Sequence, residues 1–396
     1  MNRTILPLLI LLAASAVNLP PVAAVAAGAN TVTLKDAFAK DFLIGAALNT
    51  SQFNETNPAI TALVTTQFNS VTPENALKWA NIHPFEGRYD FTKADHYVDF
   101  AVKHGMFAIG HTLVWHGQTP AWVFQNADGS PASRDTLLAR MREHIRTVVG
   151  RYKGRVKGWD VVNEALDDTG ALRDSPWRKI IGDDYIAQAF RLAHEADPDA
   201  ELYYNDFSTE NPRKRAGALA LLRKLKAEGV PVTGVGIQEH VSLAWPKLSD
   251  LDDTIAAFAQ LGLKVMITEL DVDILPKPKN SKARANDGNA EITRVEKADS
   301  ALNPYARGLP AVMQAQLARR YAELFGVYLK HRDAIERVTF WGVTDGNSWL
   351  NNWPIRGRAS HPLLFDREGK PKPAFDTVIK TNCAKRIDLP PQAATS

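Results

Sequence analysis

The chain has 396 residues, of which 45% are hydrophobic and 23% are charged, and its formal net charge is +3. This composition is typical of a globular protein, and the charge is spread without a long basic run, which argues against a nucleic-acid-binding surface. The single cysteine, Cys383, excludes an internal disulfide, so the fold must be stabilised by its hydrophobic core.

Residues 1–29 have the pattern of an export signal. Arg3 precedes a short apolar stretch at 5–17, and the small residues Ala27, Gly28 and Ala29 form a predicted cleavage site. The alternative is a membrane anchor, but the apolar stretch is shorter than the roughly 20 residues that a spanning helix needs. We therefore predict export, to the periplasm or the medium, and no membrane association after cleavage.

From residue 42 onward, short apolar segments alternate with longer amphipathic segments. The apolar segments predict strands over 42–48, 68–72, 107–114, 156–163, 201–205, 232–238, 264–269 and 338–344. The amphipathic segments predict helices over 59–66, 92–104, 133–152, 175–196, 212–229, 251–262, 310–332 and 372–381.

Eight strand-helix units in sequence predict an α/β fold, a single (β/α)8 TIM barrel that forms one catalytic domain over residues 35–382. The alternative is a doubly wound open sheet, but no glycine-rich phosphate motif follows any strand. The segment 271–310 predicts a long loop after the seventh strand. Residues 383–396 predict a C-terminal tail.

The predicted strands end in polar and aromatic residues. In such a barrel, the carboxyl ends of the strands and the loops after them form the active site. Two strands far apart in the sequence end in a glutamate, Glu164 and Glu269, and together these predict a pair of catalytic carboxylates. Tryptophan faces suit sugar rings and amide, lysine and histidine side chains suit sugar hydroxyls, so the pattern favours cleavage of a glycosidic bond.

Six motifs resemble those of the endo-1,4-β-xylanases of glycoside hydrolase family 10, and together they span about residues 35–382. They are TPENALKW at 72–79, GHTLVWH at 110–116, WDVVNE at 159–164, GIQEH at 236–240, ITELD at 267–271 and WGVTD at 341–345. The resemblance implies a retaining double displacement in which Glu164 is the general acid/base and Glu269 the nucleophile. The two carboxyl groups are then expected about 5–5.5 Å apart.

The resemblance also implies supporting residues. Asn163 is expected to bind the sugar 2-hydroxyl, and His240 to bridge Glu269 and Asp271. The residues expected to bind substrate are Glu74, Asn75, Lys78, His111, Trp115, Gln238, Trp341 and Trp349. The expected partners are xylan and xylo-oligosaccharides, without nucleic acid, metal or other cofactor, and the protein is expected to be a monomer.

Three alternatives remain open at this point. A barrel cellulase or mannanase also places Asn-Glu after its fourth strand, although two sets of residues argue against it, Glu74, Asn75 and Lys78 together with Gln238 and His240. A metal-dependent barrel hydrolase would use His111, His116 and His240 with Glu269, but the first strand does not end in the usual His-x-His pair. A sugar-binding protein without activity would have no need of both glutamates.

Overall fold

The computed structural model describes residues 32–277 and 300–387. The predicted signal at 1–29, most of the predicted loop at 271–310 and the last nine residues of the predicted tail therefore lie outside the described residues. Within the described ranges, no helix is long and apolar enough to cross a membrane.

Eight parallel strands form a closed barrel. In chain order they are Leu43–Leu48, Ser70–Pro73, Phe107–Trp115, Val156–Asn163, Glu201–Asp206, Gly234–Ile237, Lys264–Asp273 and Ile335–Phe340. Each strand pairs with the next in the chain, and the first strand pairs with the eighth, so that Leu43 lies opposite Arg337. The predicted (β/α)8 barrel is confirmed.

Helices on the outside connect the strands. The longer ones are Pro58–Gln67, Thr92–Lys103, Arg134–Arg151, Pro176–Ile181, Tyr185–Ala196, Pro212–Ala227, Leu248–Ala259, Ala311–Lys330 and Pro373–Ile387. Single-turn α-helices lie at Leu34–Ala37, Thr50–Phe53 and Trp79–Ile82, and 3-10 turns at Ala121–Val123, Ser300–Leu302, Asp345–Asn347 and Trp349–Asn351. Their apolar faces and the strands bury one large core, and Ile109, Tyr203 and Met266 form a second, smaller cluster.

The structure differs from the predicted elements at several boundaries. The predicted helix 175–196 is two helices, because Gly182 between them has a φ of 104°, which ends the first helix. The seventh strand continues past its predicted end at Glu269 to Asp273, because the short strand His240–Ser242 pairs with this extension. The last helix continues to Ile387, past its predicted end at Thr381.

A layered aromatic cluster joins Trp79, the last residue of the first motif, to the helix Arg134–Arg151. The Trp79 and His144 rings stack with their centroids 3.7 Å apart, and so do the His83 and Tyr89 rings. The two histidines are almost fully buried and their Nδ1 atoms lie 3.4 Å apart. Burial lowers the pKa of His83 to about 4 and that of His144 well below its ordinary value.

This cluster predicts acid sensitivity of the fold. The unfolded chain binds a proton at each histidine near pH 6.5, whereas the folded chain keeps His83 neutral until about pH 4, so the free energy of unfolding falls as the pH is lowered through this window. For each histidine, the free energy of unfolding falls by about 1.4 kcal/mol for every unit by which its pKa in the folded chain lies below its pKa in the unfolded chain. Urea unfolding of the wild type and of His144→Phe should therefore show a steeper loss between pH 6.5 and 4.5 in the wild type. Equal slopes would contradict the prediction.

Candidate active site

Glu164 lies at the carboxyl end of the fourth barrel strand and points into the barrel mouth. Its backbone has a φ of 56°, in the left-handed region that glutamate rarely adopts, and its amide donates to the Asn205 carbonyl oxygen over 2.8 Å. The residue is only 3% exposed. Backbone strain of this kind is concentrated at functional sites.

The carboxylate of Glu164 is held by two neutral donors. Trp115 Nε1 donates to Oε2 over 2.8 Å, and Gln238 Nε2 donates to Oε1 over 3.0 Å. Burial raises the pKa of Glu164, and the charges of Asp206 and Glu269 raise it further, against the effect of the two hydrogen bonds. Of the two carboxyl groups, Glu164 is therefore the one that retains its proton to the higher pH.

Glu269 lies in the seventh strand and has a contrasting environment. Asn205 Nδ2 donates to Oε1 over 2.9 Å, and His240 Nε2 lies 3.0 Å from Oε2. Burial by itself would raise the pKa of Glu269, but the hydrogen bond from His240 and the charges of His111 and His240 outweigh it and lower the pKa. At a pH at which Glu164 still retains its proton, Glu269 is therefore ionised.

His240 connects Glu269 to Asp271. Its Nδ1 lies 3.1 Å from Asp271 Oδ1, and Asp271 Oδ2 accepts a 2.7 Å hydrogen bond from Trp349 Nε1. Burial opposes a charge on this ring, but Asp271 and Glu269 raise the pKa of His240 to about 10, so it is a cation at neutral pH. The bridge that the sequence predicts between Glu269 and Asp271 has this geometry.

Asn205 connects the surroundings of the two glutamates. Its Nδ2 donates to Asn163 Oδ1 as well as to Glu269, each over 2.9 Å, and its Oδ1 accepts from Thr268 Oγ1 over 2.7 Å. Gly236 makes room for this side chain, because a Cβ there would lie 2.2 Å from Asn205 Oδ1. The prediction did not include Asn205 among the site residues, although it is the last residue of the predicted fifth strand.

A lysine lies near both carboxylates. Lys78 is buried, its Nζ donates to Asn75 Oδ1 over 3.2 Å, and it lies 5.0 Å from the centroid of the Trp115 ring. Burial lowers the pKa of Lys78, and the charges of Glu269, Glu164 and Glu74 oppose that effect. Burial also raises the pKa of Glu74 to about 7, against the charge of Lys78. Asn75 is exposed at the rim.

The third strand contributes a second histidine to the site. His111 is 2% exposed, and its Nδ1 lies 2.9 Å from Asp160 Oδ2. The Trp341 ring lies edge-on to both His111 and His240, with centroid distances of 5.4 and 6.2 Å. Asp160 is a second residue that the predicted site lacked, and it fixes the orientation of the His111 ring.

The structure thus brings Glu164, Glu269, Asn163, Gln238 and His240 into one hydrogen-bonded network. Asp271, Trp115 and Trp349 extend it, while Lys78 and His111 influence it through their charges. Among residues 32–277 and 300–387, no cluster of three or more His, Cys, Asp and Glu side chains has the arrangement of a metal site.

Two buried glutamates with opposite pKa shifts at the mouth of a (β/α)8 barrel can protonate a leaving oxygen and attack an anomeric carbon, which is the chemistry of a glycoside hydrolase. The model of glycosyl hydrolase family 10 matches residues 33–381. The chain belongs to this family, as the six motifs predicted.

The chain is similar to characterised relatives and solved structures over most of its length. It is 48% identical over 360 residues to endo-1,4-beta-xylanase A of Xylanibacter ruminicola, covering 91% of this chain and 95% of the relative. It is 44% identical to a beta-1,4-xylanase of Dictyoglomus thermophilum, covering 90% and 92%. The structure of an endoxylanase from a sugarcane soil metagenome is 43% identical, with a TM-score of 0.83, covering 89% and 100%.

Proposed function

We propose that this protein is an endo-1,4-β-xylanase that cleaves internal β-1,4-xylosidic bonds with retention of configuration. Membership of glycosyl hydrolase family 10 supports the reaction class, and the xylanase names of relatives at 44–48% identity support the substrate. A similar structure, 39% identical with a TM-score of 0.78 and covering 88% of this chain and 99% of the other, is a complex with xylotriose. The mechanism is supported by the hydrogen-bonded network that joins two carboxyl groups whose pKa values are shifted in opposite directions.

In the first step, Glu269 attacks the anomeric carbon while Glu164 donates its proton to the leaving oxygen. A covalent glycosyl-enzyme forms on Glu269 and the shortened chain leaves as an alcohol. The raised pKa of Glu164 keeps the proton available, and His240 keeps Glu269 ionised. In the second step, Glu164 takes a proton from water, the water oxygen attacks the anomeric carbon, and Glu269 is released.

The remaining network orients the sugar. Asn163 and Gln238 lie beside Glu164, so an amide can bind the 2-hydroxyl of the sugar that is attacked. Glu74, Asn75, Lys78, His111 and Trp115 are proposed to bind the xylose units before the cleaved bond. Trp341 and Trp349 are proposed to close that end and to leave little room for the hydroxymethyl group of glucose.

The site is proposed to act outside the cytoplasm. The support is the sequence alone, in which Arg3, the apolar stretch 5–17 and the small residues 27–29 form an export signal. Edman sequencing of the exported protein should then begin at Asn30.

The substrate proposal predicts a preference between two soluble polymers. Initial rates of reducing-sugar release should be at least about tenfold higher on xylan than on carboxymethylcellulose, because a pocket that excludes the hydroxymethyl group rejects glucose. Proton NMR should show the β-anomer as the first product. A clear preference for carboxymethylcellulose, or an α-anomer as the first product, would reject the proposal.

A further inference from the structure

Two glutamates outside the catalytic network have neighbouring carboxyl groups in the protein interior. Glu239 lies between Gln238 and His240, and Glu210 follows the fifth barrel strand. Each residue is 1% exposed, and the carboxyl group of Glu210 lies near enough for its charge to act on that of Glu239. Two neighbouring carboxyl groups that are buried and lack donors repel each other when both are charged, so the pair retains a proton.

The surroundings of the pair do not supply enough donors for two negative charges. Tyr328 donates its hydroxyl to Glu239 Oε2 over 3.2 Å. The other three carboxyl oxygens of the pair have no neutral donor among the described residues. The nearby cation, Arg320, uses Nε and Nη2 to bind the carbonyl oxygens of Ser242 and Pro246. Burial, and then the charge of Glu210, raise the pKa of Glu239 well above its usual range.

The backbone around Glu239 is bound directly to the strand that carries Glu269. The Glu269 amide donates to the Gln238 carbonyl oxygen over 2.8 Å, and the Asp271 amide donates to the Glu239 carbonyl oxygen over 3.3 Å. Glu239 has a φ of 63°, in the left-handed region. A non-glycine residue keeps this conformation only where its surroundings enforce it, and the buried side chain of Glu239 is held by Glu210 and Tyr328.

We propose that Glu210 and Glu239 share one proton at neutral pH and that this protonated pair positions Gln238 and His240 against the two catalytic glutamates. The inference rests on the proposed roles of Glu164 and Glu269. Glu239 is a positioning residue, since its side chain faces Glu210, Tyr328 and Arg320 and acts on the site through its two neighbours in the chain.

The pair has a defined effect on stability. In the unfolded chain both glutamates ionise above about pH 4.3, while the folded chain keeps one proton, so the stability that the pair supplies is complete at low pH and declines as the pH rises. Glu239→Gln replaces the protonated carboxyl group by an amide that can donate to Glu210 and cannot ionise. The unfolding temperature of this variant should therefore change less between pH 5 and 9 than that of the wild type.

Activity provides the second measurement. Glu239→Ala removes the support and should lower kcat on xylan by roughly 10-fold to 100-fold with KM changed less than about threefold, because the reacting groups are misplaced while the sugar still binds. Glu239→Gln should restore most of that loss. Glu336→Gln, which neutralises an exposed glutamate at the other end of the barrel, should change neither kcat nor the pH dependence of unfolding.

Three outcomes would overturn the proposal. The first is an unfolding profile of Glu239→Gln with the slope of the wild type, and the second is a Glu239→Gln variant as impaired in kcat as Glu239→Ala. The third is a chelator that lowers the unfolding temperature of the wild type but not of Glu239→Gln, which would identify a bound cation in place of the proton. The unfolding profiles do not depend on catalysis, so an error in the roles of Glu164 and Glu269 would leave them unchanged and is detected separately.

Discussion

Replacing Glu269 by alanine is expected to lower kcat on xylan by on the order of 10⁵-fold. The variant lacks the oxygen that would attack the anomeric carbon, and no other described carboxylate has the same contacts with Asn205 and His240. Initial rates of reducing-sugar release, with circular dichroism to verify the fold, measure the effect. Hydrolysis that persists at the wild-type rate would show that Glu269 is not the nucleophile.

A small anion gives a sharper test of the same variant. Alanine leaves space beside the anomeric carbon, so azide can attack from the side that Glu269 occupied and displace an activated phenolate. A single displacement inverts the configuration at the anomeric carbon, so the product should be the α-glycosyl azide. Glu201→Ala, at the amino end of the fifth strand, is the matched control and should retain the wild-type rate without azide.

Most of the barrel could be predicted because its strands are buried on both faces. A largely apolar segment such as 107–114 has few other stable environments, and Gly105, Gly229 and Gly262, which follow helix ends, have φ values of 63°, 64° and 69°. The extension of the seventh strand to Asp273 was missed because it depends on pairing with His240–Ser242. Pairing between segments that are distant in the sequence has no local signal.

The two site residues that the prediction lacked, Asp160 and Asn205, were missed for different reasons. Asp160 and Asn163 are three positions apart, so a regular strand would direct them to opposite faces. Both nevertheless bind side chains at the barrel mouth, because the pairing of the fourth and fifth strands shifts between Asp160 and Val162. Asn205 had a visible signal, its place at the end of the fifth strand, but only the folded chain brings it between Asn163 and Glu269.

The leaving group distinguishes the proposed role of Glu164 from that of Glu269. In Glu164→Ala, kcat/KM on xylan should fall by about 10³-fold, since a xylose hydroxyl leaves poorly without a proton. With an activated aryl xylobioside, whose phenolate needs no proton, kcat/KM should stay within about tenfold of the wild type. The value of kcat should still fall, because water attacks the glycosyl-enzyme without a general base. Equal losses of kcat/KM on both substrates would assign Glu164 a role other than proton donation.

The pH dependence of the same variant supplies an independent criterion. Burial raises the pKa of Glu164, so the wild type keeps its proton to a higher pH than an ordinary glutamate, and kcat/KM on xylan should decline as the pH rises through that pKa. The aryl substrate does not need the proton, so its kcat/KM should not follow this decline in either enzyme. His240, whose pKa is about 10, loses its proton only at higher pH, so the two groups affect different parts of the profile. A decline of kcat/KM shared by both substrates below about pH 9 would contradict the assignment, because the titrating group would then act in a step other than proton donation to the leaving oxygen.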